Sequence, residues 1–130
     1  MSVQQLTQEQ ATVGLKTALR IMNSWQASPD QACKILRISR STLRRTEEDV
    51  HTDVNLDLDQ QQRIGLILGI HASLRTVFEN PANVMNFPRL PNSNEFFAGR
   101  SPLDVMSQGD LISLYETYKR IDQLKNHGEW

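Results

Sequence analysis

The stretch SPDQACKILRISRSTLRR, Ser28 to Arg45, reads as two short helices joined by a tight break. Ser28 can cap a helix, and Gln31 completes a capping-box spacing. Pro29 suits the first helical position, because its φ is already helical and its missing amide would be unpaired there. Ala32, Ile35 and Leu36 give this helix an apolar face. The pattern breaks at Arg37-Ile38-Ser39, and Ser39 then caps a second helix running through Arg45 or slightly beyond. The break has the length of a helix-turn-helix turn. Such a motif lays its second helix in the DNA major groove while the first crosses the backbone and braces it, which requires small and apolar residues between the two. Ala32 and Cys33 meet that need at the crossing, and Leu36, Ile38 and Leu43 supply buried contacts. Arg37 stands where the motif usually has glycine. A left-handed non-glycine residue costs on the order of 1 kcal/mol, so a distorted turn is expected.

Ser39, Arg40, Ser41, Arg44 and Arg45 form the candidate DNA-contacting set. Lys34 to Arg45 holds five basic residues and no acidic one, in a chain whose formal net charge is -1, so the basic patch is local. Arg40 and Arg44 lie one turn apart and suit base edges, since a guanidinium fork matches the two major-groove acceptors of guanine. The amides that follow the Ser39 cap can face a phosphate. A single short recognition helix binds weakly, so a homodimer presenting two helices about one DNA turn apart is expected.

Outside this motif the chain also reads as helical. Thr7 and Gln10 make a capping box ahead of Val13, Leu15, Ala18, Leu19, Met22 and Trp25 at helical spacing. Thr46 to Asn55 is acidic and then polar without apolar periodicity, which predicts a connector and a boundary between 1–55 and 56–130. Asp57 or Asp59 caps the longest helix. Ile64, Ile67, Leu68, Leu74 and Phe78 line one of its faces and Leu66, Ile70 and Val77 another, so it should be central. Gly65 and Gly69 are expected to permit close helix approach. Asn80-Pro81 restarts a short helix that Pro88 and Pro91 end. Ser101-Pro102 opens a two-turn helix that Gly109 terminates, and Asp110 caps a last helix carrying Leu111, Leu114, Tyr115, Tyr118, Ile121 and Leu124. No stretch has the alternation of a strand, so the fold class is all-α.

Composition narrows the function. With 130 residues the chain fits one compact unit or two very small ones, and 38% hydrophobic content with near-zero net charge points to neither a membrane protein nor a uniformly basic coat. Cys33 is the only cysteine, which excludes an internal disulfide and fits a reducing compartment. No leader-like or bilayer-length apolar run occurs, so a cytoplasmic address is expected. His51, His71 and His127 are far apart, and no phosphate loop or nucleophile elbow is present. No catalytic residue, metal site, cofactor or small-molecule substrate is therefore expected. Cys33 and His71 read as packing residues, and Glu47, Glu48 and Asp49 as a solvated acidic run.

The block NSNEFFAGRSPLDVMSQGD, Asn92 to Asp110, adds a second signal. Asn92 or Asn94, Gly99, Pro102 and Leu103 match a pattern of an Asn-containing loop, a glycine and Pro-Leu-x-x-Leu, with Met106 at the final aliphatic position and Gly109 after it. With the helix-turn-helix-like half before it, this resembles the Xre/MbcA/ParS family of bacterial antitoxins. Phe87 stands where many members carry tryptophan. The resemblance implies a helix-turn-helix-like half packed with a small helical toxin-binding half. It implies a cognate toxin, often an NAD-consuming or ADP-ribosylating fold of the RES type, and operator DNA as partners. It also implies that Asn94, Arg100, Ser101, Pro102 and the tail His127, Gly128, Glu129 and Trp130 meet the toxin; Trp130, beside a flexible glycine, suits an interface anchor or can fold back on its own helix. A stand-alone helix-turn-helix regulator, whose second half dimerises or senses a ligand, is the alternative.

Overall fold

A computed structural model describes residues 6–48 and 53–127. Among these the chain is all-α: α1 (Gln8–Ser24), α2 (Pro29–Leu36), α3 (Arg40–Glu48), α4 (Leu58–Val77), α5 (Pro81–Asn86), a 3₁₀ turn at Phe87–Arg89, α6 (Pro102–Met106) and α7 (Leu111–His127). The starts follow from side chains that satisfy the first free amides of each helix. Thr7 with Gln10, Ser28 with Gln31 and Asp57 with Gln60 form reciprocal capping boxes. Asp57, not Asp59, is therefore the cap of α4. Asn80 and Ser101 cap the proline-initiated α5 and α6, and Asp110 accepts the Ser113 amide at 2.9 Å to open α7.

The long helix α4 packs against α1, α2, α5 and α7. It runs parallel to α7, as the contacts Arg63 with Gly109, Gly69 with Tyr118 and Ser73 with Asp122 at 2.9 Å advance together along both helices. Leu15, Trp25, Leu36, Ile67, Ile70, Leu74, Met106 and Ile121 are fully enclosed between these helices. Burying each such side chain contributes roughly 1.5–3 kcal/mol, so this interface dominates stability. An added Cβ on Gly69 would come within 2.8 Å of the Tyr118 ring, so glycine there sets how closely α4 and α7 approach. Gly65 meets nothing within 4 Å, and its expected role in close packing does not hold.

Three further expectations are corrected. The described ends of the connector pack: Thr46 is 5% exposed and Val54 3%, with Leu56 just beyond at 6%, and the Val54 amide donates to Thr12 Oγ1 at 3.0 Å. Val13 is exposed, because it lies about 200° around the helix from the buried Ala11 and Leu15. Tyr115 is exposed as well, leaving Leu114, Thr117, Ile121 and Leu124 as the inward face of α7.

Candidate nucleic-acid interface

The two helices of the motif meet as their residue sizes require. Ile35, Leu36, Ile38 and Leu43 are buried, and Ala32 lies between the helices. Arg37 ends α2 in the left-handed region (φ 57, ψ 46), and the Ile38 amide returns to the Cys33 carbonyl at 3.1 Å. The turn thus keeps the geometry a glycine would take, with arginine in its place. What holds it lies at the start of α4: the Arg37 guanidinium pairs with the cap residue Asp57 and, at 2.7 Å, with Asp59. Gln60 Nε2 donates to the Arg37 carbonyl at 2.8 Å. The Arg37 guanidinium, and then the Gln60 amide, hold the Asp57 carboxyl below the usual carboxylate range.

Sequence reading missed Arg63, which is only 6% exposed. Its Nε donates to Asp59 at 3.0 Å, and its Nη1 to the Ile35 carbonyl at 3.2 Å and the Gly109 carbonyl at 2.7 Å. The Ile35 carbonyl belongs to the last turn of α2, where acceptors lack intrahelical partners and the helix dipole favours a cation. Gly109 itself (φ 91) lies against α2, so that an added Cβ would be 3.5 Å from the Lys34 carbonyl oxygen. The helix-turn-helix unit is thereby seated on both α4 and the turn before α7. A charged residue interrupting an apolar helix, at the position facing these carbonyls, is the signal that could have found Arg63.

Ser39 starts α3, accepting the Thr42 amide at 3.0 Å and donating to Thr42 Oγ1. Arg40, Ser41, Arg44 and Arg45 are all exposed. Arg40, Arg44 and Glu47 form the row nearer α2 and line, with Pro29 and Leu43, a notch of about 170 Å³. Arg40 Nη1 donates to Asp30 Oδ1 across the motif at 2.9 Å. Arg40 starts α3, Arg44 and Arg45 lie in its middle and last turn, and Glu47 and Glu48 end it. Cys33 is partly buried, and burial pushes its thiol pKa up, the opposite of nucleophile activation.

The residues expected at a toxin surface are dispersed in exposure. Ser101 and Pro102 are buried, Ser101 capping α6 through the Asp104 amide at 3.0 Å. Asn94 is half-buried and accepts the Phe96 amide at 2.9 Å. Arg100 is exposed, its guanidinium donating to the carbonyls of Phe97 and Phe96. The loop turns back through Ala98 (φ 52) and Gly99 (φ 86). Ser101 and Pro102 therefore shape this loop from inside, and Arg100 is on its outer side. His127 is the last residue of α7; Gly128, Glu129 and Trp130, like His51, lie outside the described residues. His71 lines a groove of about 470 Å³ with Arg75, Phe78 and Met85. Burial, and then Arg75, lower its pKa. No described helix is long and apolar enough to cross a membrane.

An exposed basic second helix, braced by a short first helix on an all-α core, defines a helix-turn-helix protein. The chain belongs to the antitoxin Xre-like helix-turn-helix domain family, whose model matches residues 4–69, half of the chain. That span crosses residue 55 and takes in the first part of α4, including Asp57, Asp59 and Arg63. The chain is 32% identical over 109 residues to the uncharacterized protein y4oB of Sinorhizobium fredii, covering 83% of this chain and 81% of that one. It is 26% identical over 120 residues to a protein of Bradyrhizobium diazoefficiens named endoribonuclease YbeY, covering 88% of this chain and 59% of that one. At that identity the likeness brings no enzymatic activity to this chain. No solved structure matches it significantly.

Proposed function

We propose that this chain is an antitoxin that neutralises a cognate toxin and represses its own operon through α3. The observation that carries the DNA reading is the outward basic face of α3, with Arg40, Ser41, Arg44 and Arg45 exposed beside the Ser39 cap. Arg40 and Arg44 contact base edges, and Ser39, Ser41 and Arg45 contact phosphates. Two copies act together, as a homodimer on operator DNA. The reading surface belongs to residues 1–55 and the partner surface to 56–130. The toxin, of RES type and NAD-consuming or ADP-ribosylating, meets the rim around Asn94 and Arg100, over a loop shaped by Ser101 and Pro102, and the tail from His127 through Gly128 and Glu129 to Trp130. This half rests on the resemblance of the Asn92 to Asp110 block, and it acts by stoichiometric binding in the cytoplasm, with no cofactor or substrate of its own.

The direct test is binding of the full chain to DNA from upstream of its own gene, compared with the Arg40→Ala/Arg44→Ala protein across a salt series. Wild type should bind with an affinity that falls steeply with salt, and the double variant should lose both affinity and sequence preference. Equal binding by both proteins would remove α3 as the reading element.

A further inference from the structure

We infer that Asp30 is a specificity-determining residue that aims Arg40 at guanine. This rests on the reading of α3 as the DNA-contacting helix. Asp30 is in the first turn of α2, where a carboxylate already suits the helix dipole. Its Oδ1 also accepts Nη1 of Arg40, ten residues on, at 2.9 Å. Both side chains are well exposed, at 58% for Arg40 and 81% for Asp30, so the pair adds little to stability.

Its consequence is directional. A free arginine on a recognition helix samples many rotamers, and ordering it on the DNA costs side-chain entropy. With Nη1 held by Asp30, the side-by-side Nε and Nη2 donors of Arg40 have no partner among the described residues. That pair matches the spacing of guanine O6 and N7. The carboxylate acts in a second way: exposed beside Arg40, it opposes the approach of any phosphate there. Asp30 thus weakens binding to DNA in general while favouring a site with guanine under Arg40.

These two effects have opposite signs, which gives the test its power. A preferred site is selected from random duplexes by the full-length protein, and affinities for that site and for a scrambled duplex are measured for wild type, Asp30→Ala, Asp30→Asn and Arg40→Ala. Asp30→Ala should bind scrambled DNA more tightly and the selected site more weakly. The ratio should fall by up to about fivefold, the most that an exposed ion pair worth about 1 kcal/mol can supply. Asp30→Asn, which keeps an acceptor for Arg40, should retain part of the ratio. In the Arg40→Ala background, Asp30→Ala should leave the ratio unchanged. If Asp30→Ala tightens both duplexes equally, the carboxylate is only a repulsive charge and the inference is overturned. If wild type itself has no preferred site, the DNA reading fails first and takes this inference with it.

Discussion

Arg63 Nη1 donates to the Gly109 carbonyl at 2.7 Å, joining the middle of the chain to the turn before its last helix. The same nitrogen reaches the Ile35 carbonyl at the end of α2, at 3.2 Å. One buried guanidinium therefore fixes the helix-turn-helix unit to the C-terminal half. Arginine suits this position because it offers several donors in a rigid fork, whereas lysine offers a single point of charge.

Replacing Arg63 strands these acceptors. Arg63→Met should destabilise the protein by about 2–4 kcal/mol, since each buried carbonyl left unpaired costs roughly 1–3 kcal/mol. Arg63→Lys should recover only part of the loss. Urea unfolding monitored by circular dichroism measures both; a loss within experimental error for Arg63→Met would show that the carbonyls find other partners.

The two glycines of α4 should behave oppositely. Gly65→Ala should stabilise by about 1 kcal/mol, the gain in helix propensity, because an added methyl meets nothing. Gly69→Ala drives a methyl into the Tyr118 ring and should be less stable than Gly65→Ala by about 1–3 kcal/mol, the range for overpacking. Introducing Tyr118→Ala should abolish the difference between them. Thermal melts of the four proteins decide this.

Acid should loosen the clamp on the turn. The folded Asp57 carboxyl is more acidic than its unfolded value of about 3.9, so its contribution is full above that pH and is lost as pH falls through the folded value. Melting temperatures from pH 6 down to pH 2.5 should show wild type above Asp57→Asn near neutrality, with the gap closing below about pH 4. A gap independent of pH would assign the effect of Asp57 to helix capping alone.

His71 contributes in a higher window. Burial, aided by Arg75, depresses its pKa, so the folded state prefers neutral imidazole. Stability tied to His71 is present above about pH 6.5 and declines as pH drops through the folded value. His71→Gln should flatten the stability profile between pH 7 and pH 5 in urea titrations.

How much of this was legible in the sequence depended on the kind of residue. Caps were readable because Thr7, Ser28, Asp57 and Ser101 act on amides within three residues, and Pro29, Pro81 and Pro102 mark starts by their own geometry. The exposed face of α3 was legible from helical spacing: Arg40, Ser41, Arg44 and Arg45 are what remains outside once Leu43 is turned inward. Arg63 escaped because apolar periodicity passes over a charge whose acceptors lie 28 and 46 positions away. Arg37 read as a defect, since its compensation by Asp57 and Asp59 sits on another helix. Val54 and Leu56 were hidden by polar neighbours, which leave no apolar period to mark them, yet both are buried. Ser101 and Pro102 were expected at the toxin through the family resemblance, and local spacing did not reveal that α6 packs on α7 with its first residues buried.

The most direct measurement is a growth assay in which the product of the gene adjoining this one is induced alone, and then together with this chain, followed by purification of the pair. Growth arrest by the neighbour alone, relieved by co-expression and accompanied by a stable complex, is expected. A neighbour that is harmless alone and does not co-purify would contradict the antitoxin function and leave a helix-turn-helix regulator acting by itself.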